Sequence, residues 1–247
     1  MLITVFGRRG SGKTTLIRRL IPTQKRPIIV IDVLGNFVND GWDVAYSLKS
    51  GLESLAAYLR DKENHSGTIV VVDSDINRTI DYFCSALWKI GGGTLVLDEV
   101  DAFSIAESPC FDEAIRYGRN RGIDVITGCR RPAELSRNIT AGADIAFIFN
   151  THEPRDILYY SEFVGDELAL TLRRLPQYHG IFKDFKNQKS GIFKTTGDGK
   201  ITILRNAKQS LKKPDQIPLD FDDDDTDSDK QTATPSEQPL DQSESES

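Results

Sequence analysis

Residues 7–14 read Gly7-Arg8-Arg9-Gly10-Ser11-Gly12-Lys13-Thr14, which fits the pattern G-x-x-x-x-G-K-[ST]. The glycines let the backbone curl until its N–H groups converge on one point, an arrangement that binds an anion. The apolar run Leu2–Phe6 precedes the loop and the helical pattern Lys13–Leu20 follows it. A strand–loop–helix order adds the positive end of a helix to the same point. In that context Lys13 is expected to reach the β- and γ-phosphates of a nucleotide, and the Thr14 hydroxyl to hold Mg²⁺. Gly7, Arg8, Arg9, Gly10, Ser11, Gly12, Lys13, Thr14 and Thr15 are the expected phosphate cradle. A glycine-rich turn without a ligand is the alternative, and the flanking strand and helix speak against it.

The body of the chain repeats the same alternation. Ile28–Asp32, Thr68–Val72, Thr94–Asp98, Ile123–Thr127 and Ile145–Phe149 are short runs rich in Val and Ile, apolar on both faces. Strands of a parallel sheet covered by helices have this pattern. Helical patterns lie between them at Leu52–Asp61, Ile76–Ile90, Phe111–Asn120 and Ala133–Ala141, and another follows at Glu153–Gly165. The expected fold class is α/β: a three-layer P-loop sandwich around a mostly parallel central sheet. Tyr178–Phe185, Gly191–Thr195 and Lys200–Leu204 instead alternate apolar and polar residues around turn signals, which predicts a small antiparallel C-terminal extension.

Three further segments carry candidate chemistry. The apolar stretch Thr94–Leu97 ends in Asp98-Glu99. Asp98 is placed to bind the Mg²⁺ shell, and Glu99 to polarise a water for attack on the γ-phosphate. A solvated acidic turn from Asp98 to Asp101 is the alternative. The strand Ile123–Thr127 runs through Gly128-Cys129 into Arg130-Arg131-Pro132, where Arg130 or Arg131 would sense a γ-phosphate, or would pair with surface acids such as Glu134. Ser108-Pro109 predicts an N-cap with proline in the first helical position. The helix that follows leads into Arg116-Tyr117-Gly118-Arg119-Asn120-Arg121-Gly122. Arginines there either favour the helix dipole or serve as trans-acting fingers, with Arg119 and Arg121 as the candidates.

Charge divides the chain. Residues 220–247 hold eleven Asp/Glu and one Lys, so the net charge of −6 conceals a body of opposite sign. Residues 173–213 hold eleven Lys/Arg and two acids. This basic segment would either bind DNA phosphates or solvate a hairpin, and the acidic tail would compete for the basic face or dock on a basic partner. The tail is too poor in apolar residues to fold and is expected to be disordered. The expected layout is an ATPase core over 1–172, a basic β-rich extension of the same domain over 173–213, and the tail over 214–247. No run is long and apolar enough to span a membrane, and no signal peptide is evident. Cys84, Cys110 and Cys129 lack metal-ligand spacing and are expected to be reduced thiols.

Taken in order, Gly7–Thr14, Ile31-Asp32 with Gly35, Leu95–Glu99, Gly118–Ile123, Arg131-Pro132, Ala143–Ile145 and Asp156 resemble the landmarks of the FtsK/HerA-type ATPases, over roughly residues 1–165. The polar sensor that this family carries as Gln before Arg-Pro stands here as Arg130. The size and architecture are most similar to the small genome-packaging ATPases of tailless double-stranded DNA viruses. The resemblance implies ATP and Mg²⁺ as cofactors and double-stranded DNA as substrate. It implies self-association into a ring, a hexamer, with ATP at subunit interfaces, and a viral capsid or vertex protein as docking partner. It places the protein in the host cytoplasm or on the virion. The competing expectation is an ATPase of the same superfamily that acts on a protein partner in filamentous-phage assembly or secretion. A nucleotide switch or small-molecule kinase is the weaker alternative, and no Asn-Lys-x-Asp-type guanine reader follows a strand.

Overall fold

The first strand shows why helices must cover both faces of this sheet. All five residues of β1 (Leu2–Phe6) are buried. Ile3 and Val5 join one apolar core, and Leu2 and Phe6 join the other. The computed structural model describes residues 1–102, 108–132, 135–197 and 200–206. Among these, β1 is followed by β2 (Ile28–Asp32), β3 (Asp43–Ala45), β4 (Thr68–Val71), β5 (Gly93–Asp98), β6 (Ile123–Cys129), β7 (Ile145–Phe149), β8 (His179–Asp184), β9 (Lys189–Thr195) and β10 (Ile201–Asn206). They form one sheet in the order β10-β9-β8-β7-β1-β6-β5-β2-β4-β3. The pairings from β7 across to β3 are parallel, and β8, β9 and β10 add on antiparallel.

The helices are α1 (Lys13–Leu20), α2 (Leu48–Arg60), α3 (Ile76–Ile90), α4 (Pro109–Tyr117), α5 (Arg137–Ala141), α6 (Pro154–Val164) and α7 (Asp166–Thr171). They are unevenly shared. Leu16 and Ile17 of α1 pack with Ile3, Val5, Val30, Val96 and Ile126 on one face. Leu55 of α2, Phe83 of α3, Phe111 of α4, Ile139 of α5, Tyr160 of α6 and Ala169 of α7 pack on the other. None of these helices is long and apolar enough to cross a membrane.

The expected elements are present, with shifted ends. α2 begins at Leu48 rather than Leu52, with the Ser47 hydroxyl accepting from the Ser50 amide. Gly51 hides that first turn from a propensity argument. A Cβ there would come within 2.8 Å of the Phe83 ring, so close approach to α3 requires the glycine. α4 begins at Pro109 rather than Phe111 and stops at Tyr117, where a 3₁₀ turn over Gly118–Arg121 takes over. Ser108 does not cap it through its side chain; its hydroxyl donates to the Asn77 carbonyl instead. The helix expected from Ala133 is α5, starting at Arg137, and residues 133 and 134 lie outside the described residues. So do residues 198–199 of the expected turn and residues 207–247, with the acidic tail. β3 and α7 were not expected; three and six residues are too few for periodicity to show.

Aromatic contacts join the antiparallel extension to the parallel sheet. The fully buried Phe193 ring of β9 meets Phe147 and Phe149 of β7 edge-on, with centroids 5.4 and 5.2 Å apart. Phe193→Ala should therefore lower unfolding stability by about 3–5 kcal/mol in urea titration, the loss expected of a core aromatic rather than of a peripheral hairpin.

Candidate functional site

In a parallel sheet, the loops that leave the C-terminal strand ends share one edge. Here that edge receives the loop after β1, Asp32 ending β2, Asp98 and Glu99 at the end of β5, and Arg130 after β6. The Gly7 amide donates to the Cys129 carbonyl at 3.0 Å, which ties the glycine loop to β6. Gly10 and Gly12 have φ of +77° and +102°, a backbone region that glycine enters without cost. The Leu16 amide then donates to the Gly12 carbonyl at 2.9 Å as α1 begins. Ser11 is 2 % exposed, and its hydroxyl has no hydrogen-bond partner among the described residues.

Charge concentrates beside that loop. Lys13 is 4 % exposed, and its Nζ lies 3.0 Å from Asp98 Oδ1 and 3.0 Å from Glu99 Oε1. The Thr14 hydroxyl donates to Asp98 Oδ2 at 2.6 Å. Arg130 Nε donates to the other Glu99 oxygen, also at 2.6 Å. Burial works against the Lys13 ammonium, but the Asp98 and Glu99 carboxylates outweigh it and hold the Lys13 pKa above its ordinary value. Glu99 likewise holds the Arg130 guanidinium firmly charged. Burial, and then repulsion from Glu99, raises the pKa of Asp101, one of whose oxygens is buried without a partner among the described residues. Glu99 itself has φ +61°. A non-glycine residue held there stores of order 1–3 kcal/mol of strain, which persists only where the surroundings dictate it.

The expected residues therefore divide into two groups. Lys13, Thr14, Asp98, Glu99 and Arg130 converge. A cavity of about 370 Å³ opens on Lys13, Thr14, Glu99 and Arg130, lined also by Arg8, Arg9, Gly10, Gly12, Thr15, Leu34 and Asn36. Arg131 is exposed, and Glu134 lies outside the described residues. Arg119 and Arg121 do not join. They precede β6 at its N-terminal end, and that strand of seven residues spans roughly 20 Å. Arg119 lies 3.6 Å from Asp144 Oδ1, and Arg121 stacks over Trp88 at 5.3 Å. Neither reaches the glycine loop of its own chain.

Two further residues shape the site without belonging to any motif. Gly128 was noted only as part of a strand. A Cβ on it would lie 2.4 Å from Asp98 Oδ1 and 2.7 Å from Ile17 Cδ1, so β6 leaves room for the carboxylate only because this residue is glycine. An isolated glycine inside a strand pattern is the signal that finds such a position. Gln177 gives no such signal; its side-chain amide donates to the Gly10 carbonyl at 3.1 Å from a distant part of the chain.

Strand order, glycine loop and paired carboxylates together define a P-loop NTPase fold. The fold is that of the genome-packaging NTPase B204 of Sulfolobus turreted icosahedral virus 2, solved with AMPPCP: TM-score 0.62 and 24% identity, over 77% of this chain and 95% of that one. B204, the DNA-packaging ATPase of Sulfolobus turreted icosahedral virus, superposes with TM-score 0.59 at 24% identity, over 77% and 95% of the two chains. VirB4 of Thermoanaerobacter pseudethanolicus shares the fold more distantly, with TM-score 0.51 and 12% identity over 73% of this chain and 86% of that one. No family model matches the sequence, and no curated protein matches it.

Thr14 and Asp98 would hold Mg²⁺, the hydroxyl and carboxylate that are hydrogen-bonded at 2.6 Å here parting to receive it. Such a site takes few protein ligands and completes itself with phosphate oxygens and water. Gly128→Ala would push Asp98 out of place. Titration calorimetry with ADP should show the magnesium-dependent part of the affinity falling about 10- to 100-fold, with magnesium-free binding nearly unchanged.

Proposed function

We propose that this protein is an ATP-driven DNA-translocating motor of the genome-packaging kind, hydrolysing ATP at the subunit interfaces of a ring. The observation that carries the reading is Glu99, a carboxylate at 9 % exposure, one residue beyond Asp98 and within hydrogen-bond reach of both Lys13 and Arg130. The fold shared with B204, the DNA-packaging ATPase of Sulfolobus turreted icosahedral virus, supports the choice of DNA as substrate.

Bound Mg²⁺·ATP supplies the electrophilic γ-phosphorus. The backbone amides of the glycine loop and the Lys13 ammonium hold the phosphates. As phosphate oxygens replace the carboxylates around Lys13, Glu99 is released from one of its two cations. It then accepts a proton from the attacking water, as the bond from the γ-phosphorus to the bridging oxygen breaks and ADP leaves. Arg130 follows the charge that Glu99 and the γ-phosphate exchange, which is the sensor role. Arg119 and Arg121 sit at the opposite end of β6 from their own P-loop, so they act on a neighbour's nucleotide or on none. The basic hairpin of β8 and β9 exposes Lys186, Lys189 and Lys194, a surface suited to phosphate backbone. A capsid or vertex protein would receive the ring.

Glu99→Gln should retain ATP binding and lose turnover by about 10²- to 10⁴-fold; a variant that turns over normally would remove Glu99 from the chemistry. Double-stranded DNA should accelerate wild-type hydrolysis. If a protein partner does so and DNA does not, the secretion-type alternative replaces the motor. Mixing an Arg119→Ala/Arg121→Ala chain with Glu99→Gln should restore part of the turnover, because one mutant supplies an intact site and the other an intact finger. A mixture no faster than the sum of its parts would leave both arginines with only their contacts to Asp144 and Trp88 in their own chain.

A further inference from the structure

The flank of the P-loop away from Glu99 holds a residue that neither the core nor the chemistry above accounts for. Tyr178 adopts φ +63° and leaves 47 % of its surface exposed. A bulky residue in the left-handed region is an outlier, and such strain collects at ligand sites. The turn that carries it closes through the His179 amide and the Pro176 carbonyl at 3.2 Å. Contacts on two sides fix it between the glycine loop and the end of β9. Gln177 donates its side-chain amide to the Gly10 carbonyl. The Tyr178 carbonyl accepts from the Thr195 amide at 2.9 Å and from the Thr195 hydroxyl at 3.3 Å. The ring edge lies so near Gly12 that a Cβ there would come within 3.3 Å of it.

Sheet order says which end of a nucleotide this is. Glu99 and Arg130 follow β5 and β6, on one side of β1, while the Tyr178 turn precedes β8, beyond β7 on the other side. A nucleoside triphosphate is a linear molecule. With its γ-phosphate at Glu99 and its phosphate chain over Gly12–Thr14, its base leaves on the β7–β8 flank. Leu34, the exposed apolar residue of the cavity, shares the Glu99 and Arg130 side and so belongs to the phosphate end.

We propose that Tyr178, held by Gln177 and Thr195, is the stacking platform for the base of the bound nucleotide. The inference rests on the P-loop reading above. An aromatic face takes any base, because every base has a π-face.

Calorimetry on the full chain tests it with ATP and with inorganic tripolyphosphate, which lacks a base. Tyr178→Gly suits the positive φ, so the turn survives while the ring is lost. ATP affinity should fall about tenfold or more, tripolyphosphate affinity should stay at the wild-type value, and Tyr178→Phe should bind ATP like wild type. Wild-type ATP affinity in Tyr178→Gly, or an equal loss for both ligands, would overturn the platform. The P-loop reading has its own control, since Lys13→Ala should weaken both ligands together. A wild-type chain that binds neither would end that reading and the platform with it.

Discussion

Two carboxylates that leave a buried strand side by side cannot stand there unpaired, and much of this structure is arranged around that constraint. Asp98 and Glu99 are 2 % and 9 % exposed. Desolvating such groups costs several kcal/mol per ion unless cations and donors surround them. The chain brings Lys13 from the strand on one side and Arg130 from the strand between, and gives Asp98 the Thr14 hydroxyl as well. The same contacts join the start of α1 to the left-handed turn at Glu99. A ligand that brings its own negative charge therefore enters by substitution, taking over cations that the carboxylates already hold.

Much of this was legible in the sequence, for physical reasons. Strands buried on both faces must be apolar throughout, so Ile28–Asp32 and Ile145–Phe149 could be bounded to the residue. The glycine loop announced itself because its backbone tolerates few other residues. What stayed hidden depends on distance in space. Nothing in the neighbourhood of Gln177 says that its amide will meet Gly10, and nothing around Ser108 says that its hydroxyl will prefer the Asn77 carbonyl to its own helix. The start of α2 was hidden because Gly51 is a poor helix former chosen for its contact with Phe83. The convergence of Lys13, Thr14, Asp98, Glu99 and Arg130 was readable from motif order. The separation of Arg119 and Arg121 from them needed the strand between.

The antiparallel strands are more than a border to the sheet. β8 pairs with β7, and Phe193 of β9 fills the space against Phe147 and Phe149. The same strand ends in Thr195, which is 3 % exposed and reaches the turn beside the P-loop. The hairpin and the strand that leads into the glycine loop belong to one sheet.

The order of strands also decides how the chain reaches this state. β1 pairs only with β6 and β7, as in Leu2 with Val125 and Ile3 with Ile145. β1 therefore has no partner strand until residues far along the chain, Ile123–Cys129 and Ile145–Phe149, are in place. Until the later strands arrive, a segment apolar on both faces has nothing to cover it. Non-local parallel pairing of this kind slows folding, and the exposed interval invites association with other chains.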